Sequence, residues 1–327
     1  MHRFVRVLAA AVALVWLAPA VAQDPAAGYP ARSVRIVVPF PPGGVTDRLA
    51  RTVAQKMQEN WGQPVVVDNR PGASGMIAAE QVAKSPPDGY TLMMGHIGTH
   101  AINASLFAKL PYDPVKDFAP ISLLVSVPNI LLVHPSVPVN SVGELVALAR
   151  AKPGTLNFAS PGSGTSGHMS AELFKSLAGI DIVHVPYKGP GPALQDLLAG
   201  QVNMLFDTVA SSMPQVRAGK LKGLAVTTAN RSAIAPDVPT MQEAGVAGYE
   251  IAPWFAAYAP AGTPASIVAK LQVEMKRILA LPDVRAAFVD QQGMTIIAGT
   301  PAELAAYMQT ETAKWAKVVK DTGARAE

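Results

Sequence analysis

Short β-branched runs alternate with helix-length amphipathic segments along almost the whole chain, and this alternation restricts the fold more than any other feature. "SVRIVVPF" ends near Phe40, and a helix is expected from about Thr46 with Leu49, Val53 and Met57 on one face. "PVVVDN", the helix "GMIAAEQVAKS" and "YTLMMG" follow. Then come the loop "HIGTH", the short helix "AINASLFAKL" and the Pro- and Asp-rich loop "PYDPVKDFAP". A second series runs through "SVGELVALARA", "TLNFAS", a helix to Gly179, "DIVHVPY", "PALQDLLAG", "NMLFDT", "SSMPQVRAG" and "LKGLAVTT". Strands joined through helices pair in parallel, so the pattern implies an α/β protein with largely parallel sheets. The low charged fraction of 15% and 50% hydrophobic content suit sheets covered by helices.

Helix-start signals sharpen the outline. Ser141 and Glu144 form a capping-box pair. "GTPASIVAKLQVEMKRILAL" offers Thr263 as N-cap with Pro264 at the first helical position. "GTPAELAAYMQTETAKWAKVV" repeats the device with Thr300, Pro301 and Glu303, and Leu304, Met308, Trp315 and Val319 form its apolar stripe. Two apolar, Pro-interrupted regions, "LLVSVPNILLVHP" and "AGYEIAPWFAAYAPAG", can carry the chain between two domains. Two crossings give a discontinuous first lobe, residues 23–127 plus 251–327, and a second lobe over 128–250.

The N-terminus has Arg3 and Arg6, an apolar stretch from Val7 to Ala18, and Ala20-Val21-Ala22 before Gln23. A charged start, a short apolar middle and an A-x-A end describe a signal peptide over residues 1–22. The stretch falls short of the ~20 residues that span a bilayer. The chain has no Cys, which excludes lipid attachment at a cysteine and disulfides. A periplasmic protein without a direct membrane anchor is expected. Without Arg3 and Arg6 the charge falls from +4 to +2, 25 basic residues against 23 acidic. No dense basic patch suggests nucleic acid.

"FASPGSGTSGHMS" places Gly162, Gly164 and Gly167 in G-x-G-x-x-G spacing between a strand and a helix, the context of a dinucleotide turn. The ribose-binding acidic residue should stand at the carboxyl end of the next strand, whereas Asp181 begins it. Enzyme motifs are no better supported. Gly167 directly follows Ser166, so no G-x-S-x-G elbow exists, and neither S-x-x-K nor H-E-x-x-H occurs. His96 and His100 sit four apart in what reads as a loop with no third ligand, and His100 is expected to cap the following helix. Neither metal nor cofactor is expected. An anion cradle remains: glycines let N–H groups converge, Ser163, Thr165 and Ser166 add hydroxyls, and a helix presents its positive end. "PFPPGGVTD" has the same build. Two such turns suggest a ligand held between two lobes.

The residues at this point resemble a known family. "YPARSVRIVVPFPPGGVTDRLAR", "VVDNRPGASGMIAAEQVAKSPPDGYTL", "LPYDPVKDFAPIS", "GSGTSGHMSAELF", "HVPYKGPGPALQDLLAGQV" and "VPTMQEAGVAGYE" are similar, in order, to the Bug-type solute receptors of tripartite tricarboxylate transporters. The resemblance implies a type II periplasmic binding-protein fold with two α/β lobes and two crossover segments. It also implies a monomer that binds a small carboxylate and delivers it to integral-membrane transporter subunits. Carried over by motif, the ligand site comprises Phe40, Gly44, Thr46 and Asp47 in the first turn and Thr99 after the third strand. Ser160, Gly164, Thr165 and Ser166 belong to the second turn, and Asp207 follows "NMLF". Val45 stands in the first turn, where its bulk bears on specificity. The alternative from another class is an exported hydrolase or transferase on an α/β scaffold, which requires a nucleophile or metal that the motifs do not supply.

Overall fold

A computed structural model describes residues 24–325; the expected leader over residues 1–22 lies outside the described residues. The first series is β1 (Val34–Val38), α1 (Val45–Trp61), β2 (Val65–Asn69), α2 (Met76–Ala83), β3 (Thr91–His96), α3 (Asn103–Leu106) and β4 (Phe118–Ser126). The second is β5 (Asn129–Val133), α4 (Val142–Ala151), β6 (Asn157–Ser160), α5 (Ser166–Ala178) and β7 (Val183–Pro186), then α6 (Pro190–Leu198), β8 (Met204–Thr208), α7 (Val209–Arg217) and β9 (Lys222–Val226). The chain ends with β10 (Trp254–Pro260), α8 (Ala265–Leu279), α9 (Pro282–Arg285), β11 (Thr295–Ile296) and α10 (Pro301–Thr322).

These strands form two sheets, ordered β11-β4-β10-β3-β1-β2 and β7-β6-β8-β5-β9. The helix-linked units pair in parallel: β1 with β2 and β3, and β6 with β7 and β8. The strands nearest the crossovers pair antiparallel: β10 with β3 and β4, β5 with β8 and β9. The sheets are therefore mixed rather than largely parallel. A strand that enters from the other sheet has no local crossover helix to set its direction.

Period-two alternation explains the burial of β1. Val34, Ile36 and Val38 pack with Leu49, Val53 and Met57 of α1 and with Leu271 and Met275 of α8. Val37 faces the opposite side, in the cluster of Ala78, Val82 and Trp315. That second cluster also contains Phe158 and Phe174, so it is continuous between the sheets. Helix α10 lies against β4, α3 and α5, and buried Glu311 accepts from the indoles of Trp254 and Trp315 at 3.0 and 3.1 Å.

Two crossings join the halves, between β4 and β5 and just before β10. They are tied together where Val127 N donates to Pro253 O at 2.8 Å. The Thr227 hydroxyl accepts from Asn129 N and donates to Ile251 O, touching both segments.

Three local expectations change. Thr300 and Glu303 complete a reciprocal capping box with Pro301 inside it. The same letters at Thr263 do not cap: α8 starts at Ala265, and Thr263 donates instead to Pro260 O at 2.8 Å. "HIGTH" does not end in an open loop, because Gly98–Ile102 form a π-helical turn leading into α3. His100 caps nothing; it is buried and stacks on Tyr258 with ring centroids 3.7 Å apart.

Candidate functional site

The first glycine turn joins β1 to α1. Gly44 is the N-cap of α1 and supplies no side-chain cap, so the first N–H groups of the helix stay free. Asp47 pins the loop from behind. Its carboxylate accepts from Gly43 N at 2.8 Å, Arg51 Nε at 2.9 Å and Asn69 Nδ2 at 2.9 Å, and Asn69 also donates to Phe40 O. Burial opposes ionisation of Asp47, but the bonds from Arg51, Gly43 and Asn69 outweigh it and hold the carboxyl below its usual range. Arg48 donates to Gly43 O at 2.6 Å, so it stiffens the same loop.

The second turn joins β6 to α5. Thr165 is the N-cap: its hydroxyl donates to Gly162 O at 2.7 Å and accepts from His168 N at 3.4 Å. Ser166 is therefore the first helical residue and not the cap. The backbone N–H groups of Ser166 and Gly167 have no intrahelical acceptor at these positions. The Ser166 hydroxyl accepts a long bond from Asn129 Nδ2 at 3.4 Å and keeps its proton free to donate. Gly167 must be glycine for a packing reason: a Cβ there would stand 2.7 Å from Phe206 O.

Both turns open on one cavity of about 540 Å³ between the sheets. Phe40, Gly44, Thr46, Thr165, Ser166 and Asp207 line it, as does Val45. The N-caps of four helices lie on its wall: Gly44 of α1, Thr165 of α5, Gly189 of α6 and Thr208 of α7. Only Thr165 among these satisfies its own helix with a side-chain cap. Such a wall has converging positive ends and spare donors, the chemistry of an anion site. Apolar Ile97, Leu194 and Phe255 complete the lining. Asp207 contributes negative charge. Burial raises its carboxyl pKa, while Ser211 and Ser212 donate to it at 2.7 and 3.2 Å.

Four residues expected at the ligand lie outside this wall. Asp47 holds the first loop, as described. The Thr99 hydroxyl is fully buried and bonds with His96 and His100. Ser160 is buried too, its hydroxyl accepting from Gly162 N and bonded to His184 Nε2 at 2.6 Å. Gly164 faces the other half: a Cβ there would meet Asn103 Oδ1 at 2.8 Å, and its N–H is taken by His168 Nδ1 at 3.2 Å. In each of the four the polar groups are already bonded within the protein.

Two wall residues were not expected at the ligand, Asn129 and His96, the latter weighed only as a metal ligand. Asn129 is 1% exposed and its Oδ1 has no partner among the described residues. His96 accepts from Gly98 N through Nδ1 at 3.0 Å, which leaves the proton on a buried, unpartnered Nε2. The signal for Asn129 was a polar residue inside the apolar crossover "LLVSVPNILLVHP". Beyond Phe40 lies a larger cavity of about 1030 Å³, lined by Ser74, His168, Glu172 and Lys175 among others.

Known proteins share this build. The chain is 38% identical to BugT of Bordetella pertussis over 326 residues, 99% of both chains. An adipate-bound protein of R. palustris superposes with a TM-score of 0.86 at 42% identity, covering 91% of this chain and all of that one. MatC of Rhodopseudomonas palustris, with bound malate, gives 0.83 at 39% identity over 89% of this chain and all of that one. The family model described as "Tripartite tricarboxylate transporter family receptor" matches residues 49–324. With that match spanning most of its length, the chain belongs to the tripartite tricarboxylate transporter receptor family.

Proposed function

We propose that the protein captures a small carboxylate in the 540 Å³ cavity and delivers it, unaltered, to integral-membrane transporter subunits. The observation that carries this reading is the convergence of four helix N-caps from one sheet's flank and the other's on a single cavity. Phe40, Gly44, Thr46, Thr165, Ser166 and Asp207 are the proposed ligand residues. Asp47, Thr99, Ser160 and Gly164 support the turns that carry them. The proposed lobes are residues 23–127 plus 251–327 and residues 128–250. The strand distribution supports that division, since β5 to β9 make one sheet and all other strands the second. A monomer released into the periplasm by cleavage after Ala22 completes the proposal. The adipate and malate bound by relatives favour a dicarboxylate of similar size.

A hydrolase is less well supported. The Ser160–His184 pair resembles a nucleophile and base, but Ser160 is fully buried and lines neither cavity. Thermal shift against a panel of small carboxylates, followed by calorimetry, tests the proposal. A ligand at a hundredfold excess over its Kd adds about 2.7 kcal/mol of stability, without turnover. Turnover of a ligand, or a panel in which no carboxylate stabilises the protein, overturns it.

A further inference from the structure

Four segments of this chain share the pattern Ser/Thr-x-x-acceptor at the start of a helix or turn. Three use glutamate. Glu303 N donates to the Thr300 hydroxyl while its carboxylate takes Thr300 N at 2.7 Å. Glu243 does the same at Thr240, and Glu144 pairs with Ser141 while its carboxylate takes Asn140 N. None of these three carboxylates lines the cavity. In the fourth segment Thr165, Ser166 and Gly167 open on it, and His168, which faces the neighbouring 1030 Å³ cavity, holds the acceptor position. His168 N donates to the Thr165 hydroxyl, and His168 Nδ1 accepts from Gly164 N. The function of the reciprocal box is kept. Its charge is not.

We propose that His168 is a positioning residue of the ligand site, a neutral capping-box acceptor that aims the Ser166 and Gly167 N–H groups at the cavity without setting a carboxylate beside the bound anion. The inference rests on reading the cavity as an anion site. Its physical reason is local. A carboxylate in this position can satisfy Gly164 N as well but places a negative charge on the helix turn whose Ser166 and Gly167 N–H groups face the cavity, which already holds the buried Asp207 carboxylate.

The surroundings keep His168 neutral and fixed. Accepting through Nδ1 leaves the proton on Nε2, which lies 3.9 Å from Glu172 Oε1. Glu172 is itself paired with Lys175 at 3.1 Å. His184 of β7 stacks on the ring at 4.2 Å, and Phe158 of β6 stacks on His184 at 4.8 Å. Burial, with smaller contributions from His184 and Lys175, lowers His168 to about 3, so the imidazole is uncharged at neutral pH. The same stack reaches the turn a second time, because His184 Nε2 bonds the Ser160 hydroxyl that accepts from Gly162 N.

The test compares His168→Gln, His168→Glu and His168→Leu. Gln and Glu both fill the acceptor position of a capping box and differ in charge; Leu cannot accept. Adipate and malate are titrated calorimetrically at neutral pH, and exchange of the Gly164 amide is followed by NMR in the unliganded proteins. His168→Gln should bind within about threefold of the unchanged protein, and His168→Leu should bind at least about tenfold more weakly, the worth of one lost bond. His168→Leu should also expose Gly164 N to exchange, whereas His168→Gln should protect it. His168→Glu should protect it too and still lose at least about tenfold in affinity. Equal binding by the Gln and Glu variants overturns the charge argument. Equal exchange in the Gln and Leu variants overturns the bracing role. If His168→Glu does not fold, His168→Asp takes its place for the charge argument, and the Gln and Leu pair decides the bracing role. If the unchanged protein binds neither acid, the tightest carboxylate of the thermal-shift panel replaces them; if none of the panel binds, the carboxylate reading fails by itself, and Gly164 exchange still settles the brace.

Discussion

Replacing Ser166 by Ala separates ligand binding from folding at a single atom. Among the described residues the Ser166 hydroxyl has one hydrogen-bond partner, Asn129 Nδ2 at a long 3.4 Å, and it does not cap α5. Its removal should therefore change stability by no more than about 0.5 kcal/mol, as for a position without a committed bond. A donor lost from a charged ligand is worth about 1.5–3 kcal/mol, or roughly ten- to a hundred-and-fifty-fold in affinity. Thr165→Val is the counterpart. That hydroxyl is already committed to Gly162 O and His168 N, so its loss should cost about 1 kcal/mol of stability as a broken cap. Urea unfolding gives the stabilities, and calorimetric titration with the tightest carboxylate of the panel gives the affinities. The reasoning fails if Ser166→Ala binds as the unchanged protein does, or if it loses as much stability as Thr165→Val.

Further outcomes follow from the same geometry. Gly164→Val places a Cβ 2.8 Å from Asn103 Oδ1 at a residue whose φ is +78°, so it should hold the two halves apart and enlarge the scattering radius even with ligand present; an unchanged radius argues against this contact. Thr227→Val removes the hydroxyl shared by Asn129 N and Ile251 O, leaving buried polar groups unpaired; unfolding should show a loss of about 1–3 kcal/mol. Stability should also fall with acid. Burial lowers His96 and His168 to about 3 and His184 to about 4, so the unfolded chain takes up protons first as pH drops below about 6.5. Their contribution is complete well above pH 6.5 and is lost as pH falls toward about 3 for His96 and His168 and about 4 for His184, roughly 2 kcal/mol at pH 5 for each of His96 and His168. The raised carboxyl of Asp207 acts in the opposite sense. Urea midpoints that do not move between pH 7 and pH 5 refute this account.

The alternation of runs and the glycine turns made much of this protein legible in advance. Period-two burial in "VRIVV" and the stripe Leu49, Val53, Met57 are local consequences of side-chain geometry, and each lands as read. The box at Thr300 is equally local. The identical Thr-Pro at residue 263 shows the limit, since Pro260 O is near enough to take the hydroxyl and the cap is forfeited. Sequence likewise marked two anion-competent turns, because glycine spacing and hydroxyls are written in the chain.

Which atoms of those turns remain for a ligand was decided only in three dimensions. Gly164 N goes to His168, Ser160 to His184 and Gly162, and Asp47 to Arg51, Gly43 and Asn69. Asn129 reaches the cavity because the crossover turns the chain there. A hydrogen-bonding group has a type in the sequence, but its partner comes from whichever segments the fold brings within about 3 Å. Local periodicity therefore determined the elements and the positions of the turns, while the allocation of donors and acceptors between structure and ligand waited for contacts between residues far apart in the chain.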